Sequence, residues 1–197
     1  MTLNLGPGIT GGLNASVARN YFQEDVQNGS YSLIGGGFFN VRLNDYLSAD
    51  VAAGLTGADY DTGGSNGDTS NLGSWYGTAS LNYQISQFWS TQASAGKNYF
   101  GGLTSNYTEI IYAKQALTWQ TTDKLSTNVF VGISQYKDSG GFNAQTTKTW
   151  DAGAGANYIL DPRTNISMGA KYSNHDSSIE DFSYRQLQLT TSISYSF

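Results

Sequence analysis

His175 is the single histidine of the chain, and it stands two residues before Ser177, with Glu180 close behind. In an extended segment the i and i+2 side chains share a face, so this imidazole could take the proton of the Ser177 hydroxyl while Glu180 orients it. That would be lipid-hydrolysing chemistry. The stretch Asn174-His175-Asp176-Ser177-Ser178 reads more simply as a polar loop tip, because a three-residue match in a Ser-rich chain is generic. A second group is acidic: Glu24, Asp25, Asp59, Asp61, Asp68, Asp138, Asp176, Glu180 and Asp181. Asp59-Tyr60-Asp61 followed by Asp68 offers carboxylate and carbonyl oxygens to a hard divalent cation. It lacks the spacing of a calcium-binding loop, so solvated acidic loops are the plainer account. Cysteine is absent, which excludes disulfides, thiol nucleophiles and thiolate metal sites. No phosphate-cradling glycine loop or nucleotide fingerprint is present. The expectation is a chain without catalytic residues, metal or cofactor.

The remaining charges are more informative by their placement. Arg19, Lys97, Lys137, Lys148 and Arg185 fall at one end of alternating segments and, by parity, on the apolar face. A cation in hydrocarbon is costly unless it reaches the interface. A ring of Lys and Arg at that height could pair with the phosphates of lipopolysaccharide. Arg42, Asp50, Lys114, Asp151 and Lys171 fall on the polar face, few and mixed in sign. They suit either a weak selectivity zone in a narrow lumen or an ion-pair network that plugs it. Arg42 and Asp50 are expected to face each other diagonally across the first short turn.

The elements that position these groups follow from a period of two. Ten alternating segments run near 9–22, 31–43, 47–60, 74–86, 88–100, 107–120, 125–137, 147–160, 165–174 and 183–197. Each is long enough for a tilted membrane strand of about 9–11 residues. The links alternate in kind. Short ones centre on Asn44, Ser86, Thr122 and Pro162, and longer polar ones cover 23–30, 61–73, 101–106, 138–146 and 175–182. That is the asymmetry of periplasmic turns and extracellular loops, and it places both termini on the periplasmic side. A weak repeat ends in Gly54, Gly96, Gly132 and Gly169 at spacings of 36 to 42 residues, one hairpin each. Inward glycines, Gly153 and Gly155 among them, leave room for inward Phe38, Tyr112 and Phe130.

Composition agrees. Charged residues make up 13% of 197, against a usual share of about 25%. The 24 Gly and 14 Tyr, with 2 Pro, suit short strands and turns. Mean hydropathy is −0.37, because apolar residues interleave with polar ones. The net charge of −5 argues against nucleic-acid binding. Trp75, Tyr99, Trp150 and Tyr172 near one end, and Trp89, Trp119, Tyr83 and Tyr195 near the other, form two aromatic belts. A soluble β-sandwich would alternate too, but it predicts neither the belts nor the alternating link lengths. The start Met1-Thr2-Leu3-Asn4 lacks a charged, then apolar leader, and reads as a mature form with an added Met.

The last segment alternates Leu187, Leu189, Thr191, Ile193, Tyr195 and Phe197 against Gln and Ser. Ile193, Tyr195 and Phe197 resemble the C-terminal signal read by the barrel assembly machinery. With Leu81-Asn82-Tyr83-Gln84-Ile85 and Tyr184-Arg185-Gln186-Leu187-Gln188-Leu189, the chain resembles β-barrel porins of Gram-negative bacteria. The resemblance implies a monomeric, all-β, antiparallel up-and-down transmembrane barrel of about ten strands, inserted in the outer membrane among lipids and lipopolysaccharide. It transfers no catalytic residues, and the short length argues against a wide channel. Three function classes follow: a narrow passive channel for ions or small polar solutes, a closed barrel acting through its loops in structural, adhesive or complex-forming roles, and a lipid-modifying enzyme built around His175. The channel is favoured.

Overall fold

The computed structural model describes residues 2–22, 27–62, 67–102 and 104–196. Eleven strands form one antiparallel sheet in chain order, each paired with its neighbours in sequence. They are β1 (Thr2–Gly6), β2 (Ile9–Asn20), β3 (Ser30–Arg42), β4 (Leu47–Tyr60), β5 (Leu72–Gln84), β6 (Trp89–Gly101), β7 (Tyr107–Gln120), β8 (Leu125–Asp138), β9 (Thr146–Asp161), β10 (Thr164–Ser177) and β11 (Tyr184–Tyr195). A 3-10 turn, Glu180–Phe182, lies in the last long link.

The short turns share one local device. In each, one residue near its start accepts a hydrogen bond, through its side-chain oxygen, from the N–H two residues on. Asn44 takes it from Tyr46 at 2.8 Å, Ser86 from Phe88 at 3.2 Å, Thr122 from Lys124 at 3.2 Å and Asp161 from Arg163 at 2.8 Å. These are the residue types whose short polar side chains mimic a backbone turn. Gln84 and Gln120 add a second tie, each donating to a turn carbonyl at 2.6 Å.

Ten of the strands match the expected segments closely; β1 is the addition. It is too short to span a membrane, so the alternation test passes over it. It turns back onto β2 through Pro7-Gly8. Gly8 adopts φ +74°, and a Cβ there would meet the Arg42 carbonyl oxygen at 2.9 Å, so glycine is required. β1 lies along the first residues of β2, from Thr2 opposite Gly12 to Gly6 opposite Ile9. It therefore occupies part of the edge that a ten-strand barrel would offer to its last strand. Among the described residues no pairing joins β11 to β1 or β2, and the sheet is open there. The up-and-down antiparallel architecture is as expected, with eleven strands where about ten were expected and a sheet that is not closed. Nor does the described chain start at the short-turn end, because β1 begins part-way up the wall and runs down to it.

Register rows fix the two faces. On the outer face Phe39, Val51, Ala79, Ala95, Ala113, Ile133 and Trp150 pair across seven strands. On the inner face the row beside it reads Asn40, Asp50, Ser80, Ser94, Lys114, Gly132, Asp151, Ser173 and Gln186. Among the described residues Ala58 is the one buried apolar side chain, while Leu13, Leu55, Ile133 and Leu189 stand 64–73% exposed. The accessible area is 12853 Å², against about 9,000 Å² for a compact chain of this mass. A wall so exposed is satisfied by hydrocarbon on one face and water on the other. The aromatic belts form as expected: Trp89 stacks on Trp119 at 5.1 Å at the short-turn end, and Trp150 meets Tyr172 at 5.1 Å nearer the loops.

Candidate functional site

Four inner-wall charges gather at one level. Asp50, Lys114 and Asp151 fall in the same register row, and Lys171 reaches that row from the next, its Nζ 3.2 Å from Asp151. Asp151 also accepts from Ser173 Oγ at 2.6 Å. Asp50 accepts from Ser80 Oγ at 3.0 Å and from Asn82 Nδ2 at 3.4 Å. Lys114 sits over the Tyr112 ring at 5.8 Å. Arg42 stands opposite Ser48 and so diagonal to Asp50, as expected. Its guanidinium pairs with Asp45 in the turn at 3.1 Å, and no Arg42–Asp50 pair forms. Asp45 is three residues along the chain, whereas Asp50 is already held by Ser80 and Asn82 of β5. Arg42 lines a cavity of about 550 Å³ at the short-turn end, with Ser48, Asn82, Gln84, Gln92 and Thr118.

Inner glycines make way for rings. A Cβ on Gly153 would fall 2.5 Å from Phe130, one on Gly54 2.7 Å from Tyr76, and one on Gly96 3.0 Å from the Tyr112 hydroxyl. The rings thus lie flat along the wall instead of filling the lumen.

At the loop end four links converge on Asp68, which is 2% exposed. Its carboxylate accepts from the Asn106 N–H at 2.8 Å, from the Ser70 N–H at 2.8 Å and from the Ser139 hydroxyl. Its carbonyl accepts from Asn28 Nδ2 at 2.7 Å, and Asn28 also donates to Asn106 Oδ1 at 2.7 Å. Burial alone would push the Asp68 carboxyl up. The hydrogen bonds from Asn106, Ser139 and Ser70 outweigh it and hold the group below its ordinary value. Asp68 is therefore a structural clasp. The solvated reading of this acid is corrected, because its oxygens are taken by N–H and O–H donors. Among the described residues no group of three or more His, Cys, Asp or Glu could hold a metal ion. Glu24 and Asp25 lie outside the described residues. Sequence reasoning missed Asn28, Ser70, Asn106 and Ser139, since nothing local distinguishes them from other loop polar residues. Beside the clasp lies a mouth cavity of about 180 Å³.

The basic rim divides. Lys97 Nζ is 3.0 Å from Glu109, with side chains 17% and 23% exposed, so its charge is engaged within the wall. Arg19 lies over Tyr21 at 4.4 Å, and Arg185 Nε donates to Asn174 Oδ1 at 3.2 Å. Lys137 stands opposite Glu109 and Lys148 opposite Gln135. His175 and Ser177 are not brought together. His175 Nδ1 lies 3.1 Å from Thr149 Oγ1 and its ring stacks on Tyr184 at 4.2 Å, while Ser177 Oγ donates to Gln145 at 2.7 Å. The expected loop tip is instead the end of β10, whose ladder holds these side chains to neighbouring strands. Ile193 and Tyr195 are exposed on β11, opposite Ile166 and Thr164, and Phe197 lies outside the described residues.

An antiparallel up-and-down wall with an apolar outer face, a polar inner face, short turns at one end and long links at the other has the fold of bacterial outer-membrane β-barrel proteins. Two solved structures share it in particular. One is the outer membrane channel DcaP of Acinetobacter baumannii, with a TM-score of 0.73 and 14% identity over 100% of this chain and 61% of that one. The other is a loop L8 deletion mutant of OmpT, an outer membrane protein of Vibrio cholerae, with a TM-score of 0.55 and 10% identity over 98% of this chain and 61% of that one. The chain thus spans about 61% of the length of each. No family model and no curated protein matches it.

Proposed function

We propose that this chain forms the wall of a narrow passive channel for ions and small polar solutes in the bacterial outer membrane. The observation that carries the reading is the inner register row from Asn40 to Gln186, polar throughout except at Gly132, with Asp50, Lys114 and Asp151 along it. Pore-lining charge at one level biases ion flow. Asp151 is paired with Lys171, which leaves Asp50 and Lys114 as the charges without an ion-pair partner on that row. The likeness to a protein described as a channel supports the same reading. The test is single-channel conductance of the refolded protein in a planar bilayer. Discrete steps are expected, with Asp50→Asn shifting selectivity toward anions and Lys114→Gln toward cations. An inserted but silent protein would refute the channel. It would favour a second reading, a loop-presenting wall, which the Asp68 clasp supports by holding four links in one arrangement.

Insertion through the barrel assembly machinery and contact with lipopolysaccharide phosphates belong to the same proposal. Lys137, Lys148, Arg19 and Arg185 are the phosphate-facing candidates, with Lys97 committed to Glu109.

A further inference from the structure

The ladder between β5 and β6 ends at Gly77 opposite Lys97, although β5 begins at Leu72 and β6 continues to Gly101. Over that length β5 stays paired with β4 as far as Leu72, and β6 with β7 as far as Gly101. The two strands therefore part at the loop end of the wall. Each leaves one backbone edge without a ladder partner, at the height of the outer leaflet. At the level of the aromatic belt and the basic rim, such an edge must be met by side chains or by headgroups and water.

Tyr99 covers it. Strand alternation puts Tyr99 on the outer face with Lys97, and Ser74 on the inner face with Tyr76. The Tyr99 hydroxyl nevertheless meets Ser74 Oγ at 2.7 Å and Glu109 Oε2 at 2.8 Å, so it stands in the gap between the faces. Lys97 closes the gap from outside, 3.0 Å from Glu109 and over the Trp75 ring at 4.9 Å. Behind Tyr99 lies the mouth cavity of about 180 Å³, whose lining includes apolar Ile34, Leu72 and Phe100 and polar Asn20, Ser105 and Asn106. Tyr99 itself is part of that lining. Among the described residues no charged side chain lines the cavity, and the Asp68 carboxylate lies just behind, on the Asn106 N–H.

We infer that the parted β5–β6 seam is a lateral portal between the outer leaflet and the mouth cavity, latched by Tyr99, for a single-chain amphiphile with an uncharged, hydroxylated headgroup. The apolar part of the cavity takes the chain. The amide and hydroxyl groups take the headgroup. A charged headgroup would pay its desolvation there, with no cation among the described lining residues and the Asp68 carboxylate already taken by its three donors. Opening breaks the two Tyr99 hydroxyl bonds and moves Lys97 off Glu109, with no ladder bond lost, so it proceeds by side-chain rotation alone. The inference rests on an outer-membrane location but not on ion conduction.

The test uses an octyl glucoside bearing a diazirine at the end of its alkyl chain, photo-crosslinked to the full chain in lipid nanodiscs and mapped by mass spectrometry. Labelling of Leu72, Ile34 and Phe100, competed by octyl glucoside and not by glucose, is expected. Tyr99→Phe removes both latch bonds and should raise cavity labelling about ten-fold; Ser74→Ala removes one and should raise it less. The chain has no native cysteine, so Gly73→Cys with Gly101→Cys can be bridged by a bifunctional thiol reagent. Bridging should abolish the labelling. Label confined to the outer-face residues Trp75 and Ile111 would overturn the site. Cavity labelling undiminished by the bridge would overturn the portal, because the probe would be entering from the mouth. Equal labelling of wild type and folded Tyr99→Phe would overturn the latch.

Discussion

Replacing Asp68 by Ala removes the acceptor on which the loop end of the wall converges. Three donors lose their partner at once: the Asn106 and Ser70 N–H groups and the Ser139 hydroxyl. A hydrogen bond to a charged group contributes about 1.5–3 kcal/mol, and water entering the loosened mouth recovers part of it. Taking about 1 kcal/mol for each donor, the clasp loses about 3 kcal/mol. Local opening then becomes about 100-fold more frequent, since each 1.4 kcal/mol is a factor of ten. The strand ladders do not involve Asp68, so the wall stays folded. Hydrogen exchange at the Asn106 and Ser70 amides should accelerate by about that factor, while exchange in β8 and β9 stays unchanged. Unchanged protection of both amides in a folded Asp68→Ala protein would refute the clasp. pH acts on the same group. The folded carboxyl titrates below its ordinary value of 3.8, so its contribution is fully present above that value. It is lost as pH falls through the lower folded value. The clasp should hold through neutral and mildly acid solution and release in strong acid, read by the same two amides.

Other substitutions test other parts of the wall. Gly153→Val drives a side chain into the Phe130 ring, 2.5 Å from the new Cβ, and should lower unfolding stability by about 1–3 kcal/mol in urea; an unchanged midpoint would contradict the ring-over-glycine packing. Thr122→Ala removes the oxygen that accepts from the Lys124 and Leu125 N–H groups at 3.2 and 3.0 Å, and should cost about 0.5–1.5 kcal/mol by the same denaturation. Charge reversal at Lys148 and Arg185 should weaken lipopolysaccharide retention through purification, and retention equal to wild type would exclude these residues from phosphate contact. Lys97→Glu places a second carboxylate beside Glu109, so its effect should appear first in stability.

The sequence alone determined the strands, their faces and the short turns. Each of these is local. A period of two assigns every side chain to one face once the strand exists, and Asn44, Ser86, Thr122 and Asp161 bend the chain through bonds to residues two positions on. The row of Asp50, Lys114 and Asp151 was half legible: parity put them inside, and the ladder then set them level. β1 escaped notice because five residues are too few to show a period. What tertiary structure decided is whatever joins distant segments. Asp68 bonds residues 38 and 71 positions away, and Tyr99 reaches Ser74 across a seam that parts above Gly77. No local pattern encodes which polar loop residue will be the buried one. The same holds for Arg42, which chose Asp45 over Asp50, and for His175, which the ladder turned to Thr149 and Tyr184. Alternation specifies a face, whereas a partner depends on register and on where the loops come to rest.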